Sequence, residues 1–282
     1  MERKVVAIIP ARYDSSRLPG KALLEIAGKP MICWVVERVQ AAANVARVIV
    51  ATDDQRIVAA VEAAGCEARI TRKDHASGTD RIAEVAEGLP EADIVVNVQG
   101  DEPLISPETI ERAVAELAVA MNSTEDPQRT ADIVTTWESM ETAADVFNPD
   151  VVKIVLNEAG RALYFSRSPV PYPRDAVREY GTLEAALESN PTLLGQFRKH
   201  TGLYVYRRDV LLEFTKWPQS AIERQEALEQ LRALGQGVKI QAIEASTRSI
   251  GVDTVEDLER VRAIVSSKEF RVSSAGMPFR GN

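Results

Sequence analysis

Val5-Val6-Ala7-Ile8-Ile9-Pro10-Ala11-Arg12-Tyr13-Asp14-Ser15-Ser16-Arg17-Leu18-Pro19-Gly20-Lys21 is the stretch that decides the fold. Residues 5–9 form a continuous apolar run, the pattern of a parallel strand covered on both faces. Pro10 has no N–H to give to a ladder and is expected to end the strand. Small and turn-forming residues then alternate with Arg12, Arg17 and Lys21. Open α/β sheets bind ligands in the loops at the carboxyl ends of their strands. Three cations in such a loop, with Gly20 allowing close backbone approach, suit a polyphosphate. A solvated basic loop has the same composition.

Outward from this stretch, strands and helices alternate. Residues 31–43 carry Ile32, Val35, Val36 and Val39 at helical spacing. Residues 47–51 read as a second buried strand, and Asp53 or Asp54 can cap the helix that follows. Ile57, Val58, Val61 and Ala64 face inward in that helix, and Gly65 stops it. Residues 67–71 are a third strand, and 79–86 begin a helix. Residues 93–98 are a strongly apolar strand ending in Gln99-Gly100-Asp101-Glu102-Pro103. Pro107 opens a further helix. This rhythm predicts an α/β fold with a doubly wound, mostly parallel central sheet and a smaller mixed β region.

That second region begins after a polar loop at 122–130. Strands are expected at 132–137, 151–156, 162–166, 202–206 and 239–244, and helices at 183–194, 210–216, 222–234 and 254–265. Thr254 and Asp257 form a capping box. Residues 168–196, with Pro169, Pro171 and Pro173, read as an excursion from the core. The expectation is one domain over 1–266, followed by a flexible tail over 267–282.

Composition removes several function classes. The 282 residues carry a net charge of −8, which argues against general nucleic-acid binding. Cys33 and Cys66 stand outside any C-x-x-C pattern and read as small buried residues of a reducing compartment. Two histidines cannot build a multi-histidine metal site. No apolar run reaches the roughly 18–20 residues of a membrane span, and no signal-peptide pattern is present. A cytoplasmic protein without membrane insertion is expected.

Asp101 stands just past a buried strand, on the same sheet edge as the cationic loop. Mg²⁺ takes one or two carboxylates together with phosphate oxygens, so Asp101 is placed to hold it against a triphosphate. A plain turn aspartate before Pro103 is the alternative. Asp253, in Ser249-Ile250-Gly251-Val252-Asp253, is the natural partner. An N-cap role would occupy it, but Thr254 can supply that cap. His75 beside Asp74 reads as a turn cap and His200 as structural. Tyr204 and Tyr206 are expected to face opposite sides of their strand. Glu223, Glu226 and Glu229 are three apart on one helix, so most of the row is solvated surface.

The motifs come in a fixed order: Pro10-Ala-Arg-Tyr-x-Ser-x-Arg-Leu-Pro-Gly-Lys21, His75-x-Ser-Gly-Thr-Asp-Arg81, Val96-Asn-Val-Gln-Gly-Asp-Glu-Pro103, His200-x-Gly-x-Tyr-x-Tyr-Arg207, Leu228-Glu-Gln-Leu-Arg232 and Gly251-Val-Asp-Thr254. Over about residues 4–265 the chain resembles the CMP-Kdo synthetases, the 3-deoxy-manno-octulosonate cytidylyltransferases of bacterial lipopolysaccharide synthesis. Val255 departs from the proline many of them carry at the start of the last helix. The resemblance implies that Arg12, Arg17 and Lys21 hold the CTP triphosphate, that Asp101 and Asp253 bind Mg²⁺, and that Ser77, Gly78 and Thr79 line the nucleoside pocket. It also implies that Arg72, Gln99, His200, Tyr204, Glu226 and Gln230 face the sugar acid. Arg72 suits its carboxylate because guanidinium binds carboxylate in a planar fork. A homodimer is implied, with residues 168–196 as a candidate part of its interface. The reaction would be in-line attack of the Kdo hydroxyl on the CTP α-phosphorus. Rival readings are a related cytidylyltransferase for 8-amino-Kdo or sialic acid, and a non-catalytic nucleotide-binding homologue. A glycosyltransferase is disfavoured because Asp101-Glu102-Pro103 is not a D-x-D motif.

Overall fold

A computed structural model describes residues 3–15, 18–123 and 130–267. Arg17, most of the 122–130 loop and the tail from 268 therefore lie outside the described residues. The chain runs β1 (Val5–Ala11), a 3₁₀ turn (Lys21–Leu23), the small ribbon β2 (Glu25–Ile26) and β3 (Lys29–Pro30), α1 (Met31–Gln40), β4 (Arg47–Thr52), α2 (Gln55–Ala63), β5 (Glu67–Ile70), α3 (Gly78–Glu87), β6 (Ile94–Asn97) and α4 (Pro107–Asn122). It continues with β7 (Ile133–Ser139), α5 (Ala143–Phe147), β8 (Lys153–Leu156), β9 (Ala162–Ser166), α6 (Arg174–Tyr180), α7 (Leu183–Ser189) and a second 3₁₀ segment (Pro191–Gln196). It closes with β10 (Arg198–Arg207), α8 (Arg208–Phe214), α9 (Ala221–Glu226), α10 (Gln230–Gly235), β11 (Ile240–Glu244) and α11 (Val255–Ser266). The sequence reads as one domain; the described residues of 1–118, 203–215 and 246–282 form one compact unit, and those of 119–202 and 216–245 another.

The first unit is built on parallel strands. β1 lies between β4 and β6, and β5 flanks β4, all parallel; residues 204–207 of β10 run antiparallel to β6. Every residue of β1 and β6 is buried, as their apolar runs require. Ile32, Val35, Val36 and Val39 bury the inner face of α1. The cationic loop, the Gln99–Asp101 turn and the N-terminus of α3 all emerge at the carboxyl edge of this sheet, where such folds bind ligands.

Pro10 does not end β1. The strand runs on to Ala11, and Pro10 stands opposite Ala51 of β4. The β6 ladder stops at Ile8 opposite Asn97, so the last residues of β1 pair on the β4 side alone. An edge-like position of this kind tolerates proline.

In the second unit β7 and β11 are parallel, β8 and β9 form an antiparallel pair, and Lys199 of β10 stands opposite Lys153 of β8. The 168–196 excursion has its own packing: Leu183, Ala186 and Leu187 of α7 bury against Met140, Val146 and Phe197. The helix expected over 183–194 stops at Ser189, and Pro191 opens the 3₁₀ segment instead.

The helix expected over 222–234 is two helices. It breaks at Ala227, which adopts the left-handed conformation. The row of glutamates is broken with it. Glu223 is buried and forms a two-pronged ion pair with Arg232 (2.6 and 2.9 Å). Tyr204 and Tyr206 also depart from expectation. Their rings stack on one face of β10 with centroids 5.7 Å apart, because a strand returns to the same face every second residue. Cys33 is buried as expected, whereas Cys66 is half-buried; both are free thiols.

Candidate active site

An open cleft of about 320 Å³ lies in the first unit, lined by Arg12, Lys21, Gly78, Gln99, Asp101 and Asp253. Each is delivered by a local device. Gly20 takes the left-handed conformation (φ 65°) and its N–H donates to the Tyr13 carbonyl at 2.9 Å, which holds Gly20 against Tyr13 and starts the 3₁₀ turn at Lys21. A Cβ on Gly20 would sit 3.2 Å from the Tyr13 ring. The Tyr13 ring is covered on its face by the Arg56 guanidinium, 3.3 Å from the centroid. Arg12 donates to the His75 carbonyl at 2.9 Å, so His75, buried against Glu84, helps to place a cation.

Gly100 is required for closeness. A Cβ there would stand 2.8 Å from the Pro10 carbonyl oxygen, so the turn after β6 packs directly on the end of β1. α3 begins with a full capping box: Ser77 Oγ accepts from the Asp80 N–H (3.1 Å) and Asp80 accepts from the Ser77 N–H (3.0 Å). Gly78 in its first turn lines the cleft, and Thr79 beside it is buried. The fully buried Arg81 ties this helix to Asp53 (2.8 Å) and to Thr71.

Asp101 and Asp253 are brought together by backbone. The Val252 N–H donates to the Asp101 carbonyl at 2.9 Å, the Ser246 N–H to Thr109 Oγ1 at 2.9 Å, and Ser249 Oγ to Glu102 at 3.2 Å. Val252 is fully buried with Ile26, Met31, Leu258, Val261 and Val265, which anchors the 250–253 segment from beneath. Thr254 and Asp257 form the capping box of α11 as the sequence predicts.

The Lys21 ammonium sits between these two carboxylates. Nζ donates to Asp101, to Asp253 Oδ1 at 3.1 Å and to the Val252 carbonyl at 3.4 Å. Burial pushes the Lys21 ammonium down, but Asp101 and Asp253 outweigh it and hold the group above its ordinary value. Counting Asp14, three carboxylates face two cations among the described lining residues. That balance repels a bare triphosphate and accepts a cation with it. All the donors near Lys21 are hard oxygens, the set that Mg²⁺ takes. Among the described residues no group of three or more His, Cys, Asp or Glu side chains is arranged to hold a metal ion by itself. A metal held here would thus complete its shell from substrate and water.

The other sequence candidates are placed as follows. Arg72 is outside this cleft; it lines a separate depression with Asp74, His75 and Glu84 and stands 3.4 Å from Asp74. Tyr204 faces Asn97 across the β10–β6 ladder. His200, Glu226 and Gln230 belong to the second unit. The Glu226 carboxylate accepts from Tyr164, Ser166 and the Arg167 N–H. Gln230 is the first residue of α10. His200 Nε2 lies 3.0 Å from Thr135 Oγ1, and its ring meets Phe165 edge-on at 5.0 Å. Asp14 and Ser15 also line the cleft and were not singled out by sequence, although their place inside the cationic loop was the available signal.

Part of His200 remains accessible, but desolvation of its ring pushes the imidazole down to about 3. The unfolded chain therefore takes up this proton first as pH falls, and stability is lost between the ordinary value near 6.5 and the depressed one. His200→Gln is expected to remove about 1–2 kcal/mol of the stability lost between about pH 7 and pH 5. Urea unfolding of both proteins at the two pH values measures it, and parallel pH dependences would show that His200 is not the group responsible.

Comparison with known proteins identifies the architecture. The Cytidylyltransferase family model matches residues 6–240. The chain belongs to the cytidylyltransferases. It is 49% identical over 257 residues to 3-deoxy-manno-octulosonate cytidylyltransferase of Geobacter sulfurreducens, covering 91% of this chain and 97% of that protein. It is 45% identical over 265 residues to the Escherichia coli enzyme of the same name, covering 94% and 97%. These identities place it among the 3-deoxy-manno-octulosonate cytidylyltransferases within that family. A solved structure of CMP:2-keto-3-deoxy-manno-octonic acid synthetase complexed with CTP superposes with a TM-score of 0.80 at 45% identity, over 93% of this chain and 98% of that one. The doubly wound, mostly parallel α/β fold and the cytidylyltransferase class expected from the sequence are thereby borne out. Among the described residues no helix is long and apolar enough to cross a membrane.

Proposed function

We propose that this cytidylyltransferase joins CTP to 3-deoxy-manno-octulosonate, giving CMP-Kdo and pyrophosphate for lipopolysaccharide synthesis. The observation that carries the reading is the Lys21 ammonium shared by Asp101 and Asp253 in the cleft at the sheet's carboxyl edge. Arg12 and Lys21, with Arg17 of the same loop, bind the triphosphate and meet the charge that develops at the α-phosphorus. Ser77, Gly78 and Thr79 line the nucleoside side, and Gln99 reaches toward the acceptor. Asp101 and Asp253 hold Mg²⁺, which when bound supplies positive charge and lowers the pKa of the attacking hydroxyl. The chain's own work is positioning and charge stabilisation, with no covalent intermediate on a side chain. His200, Tyr204, Glu226 and Gln230 recognise the sugar acid; Arg72 is the weaker member of that set, because it is paired with Asp74 away from the cleft. Two free cysteines suit a reducing cytoplasm. A homodimer using the 168–196 excursion accords with exposed Tyr172 and Tyr180 there.

Pyrophosphate release from CTP and Mg²⁺ tests the reading, with Kdo, 8-amino-Kdo, sialic acid and no acceptor run in parallel. Release is expected with Kdo and not with sialic acid. Release with sialic acid alone would overturn the acceptor, and CTP binding without release under any condition would identify a non-catalytic homologue.

A further inference from the structure

α9 ends at Glu226, and Ala227 turns into the left-handed region with φ 51° and ψ 48°. A Cβ disfavours that conformation, which glycine or asparagine usually fills. Ala227 is exposed, so no burial of its methyl group offsets the strain. Its neighbours hold it instead. Arg167 Nε donates to the Glu226 carbonyl at 2.7 Å, Nη2 to the Ala227 carbonyl at 3.3 Å and Nη1 to the Pro149 carbonyl at 2.8 Å. One guanidinium thus clamps both sides of the turn.

The same turn presents the Glu226 carboxylate. Its Oε1 accepts from Ser166 Oγ (2.8 Å) and the Tyr164 hydroxyl (3.2 Å), and its Oε2 from the Arg167 N–H (3.0 Å). Burial pushes the Glu226 carboxyl up, but these donors outweigh it and hold the group below the usual carboxylate range. A carboxylate has about four lone-pair sites. The three protein donors leave one, on Oε2, to accept a ligand hydroxyl in a set direction.

We infer that the strained turn at Ala227, clamped by Arg167, aims the remaining acceptor site of Glu226, so that Ala227 and Arg167 are positioning residues for the polyhydroxy acid substrate. The inference rests on the reading that Glu226 meets that substrate. Strain kept where packing does not demand it marks a site whose geometry matters. Glycine would relieve the strain and also widen the conformations open to the turn.

Ala227→Gly separates the two roles. Its melting temperature should equal or exceed the parent's. Its KM for Kdo should rise about tenfold, as a carboxylate misaimed by a fraction of an ångström requires, with the KM for CTP unchanged. An unchanged KM for Kdo, or a lower melting temperature, overturns the proposal. Arg167→Lys keeps the charge but not the fork, and should raise the same KM. Glu226→Gln tests the underlying reading. If its KM for Kdo is unchanged, both the reading and the inference fall. If it rises while that of Ala227→Gly does not, the positioning role alone falls.

Discussion

Asp101→Asn and Asp253→Asn are each expected to lose Mg²⁺-dependent turnover by about a thousandfold or more, a barrier change of about 4 kcal/mol. The amide keeps the size of the side chain and its acceptor oxygen but removes the charge that a hard divalent cation requires. The fold should survive both changes. The contact that brings the two positions together is main-chain, from the Val252 N–H to the Asp101 carbonyl, and Val252 itself is packed with Ile26 and Val261. Pyrophosphate release across a Mg²⁺ titration, with thermal melts of the same samples, reads both quantities. Near-parental turnover in the two variants would remove these aspartates from the metal.

Lys21→Met is expected to cost a hundredfold or more in kcat/KM, on the order of 3 kcal/mol. It takes away the cation that Asp101 and Asp253 share and, on the proposed reading, a charge that meets the α-phosphate. It has a second consequence in the ligand-free protein. Without the ammonium, Asp101 and Asp253 lose the cation they share, and stability falls by about 1–2 kcal/mol, discounted for their partial exposure. Millimolar Mg²⁺ should restore the melting temperature of Lys21→Met and leave that of Asp101→Asn unmoved. A melting temperature of Lys21→Met insensitive to Mg²⁺ would show that the pair does not gather a cation. An unchanged kcat/KM would take Lys21 out of the reaction.

The fold class was legible in the sequence because it is written in local patterns. The apolar runs at 5–9 and 94–97, the spacing of Ile32, Val35, Val36 and Val39, and the caps at Asp54 and at Thr254 with Asp257 need only near neighbours to be read. The cationic loop and Asp101 were legible too, since both follow apolar strands whose carboxyl ends share one edge. The two tyrosines of β10 could have been placed on one face by the two-residue period of a strand. Tertiary structure alone decided the rest. Lys21 meets partners 80 and 232 residues away, and no local pattern pairs them; a backbone bond at Val252 and the packing of α11 do. The helix over 222–234 breaks because Arg167, far off in sequence, takes the carbonyls at 226 and 227, a competition that helical spacing cannot show. The sequence by itself thus determined the strands, caps and loop chemistry, where the forces are short-range. Which charges meet was left to the packed chain, because long-range pairing is fixed by burial and by backbone bonds that leave no trace in neighbouring residues.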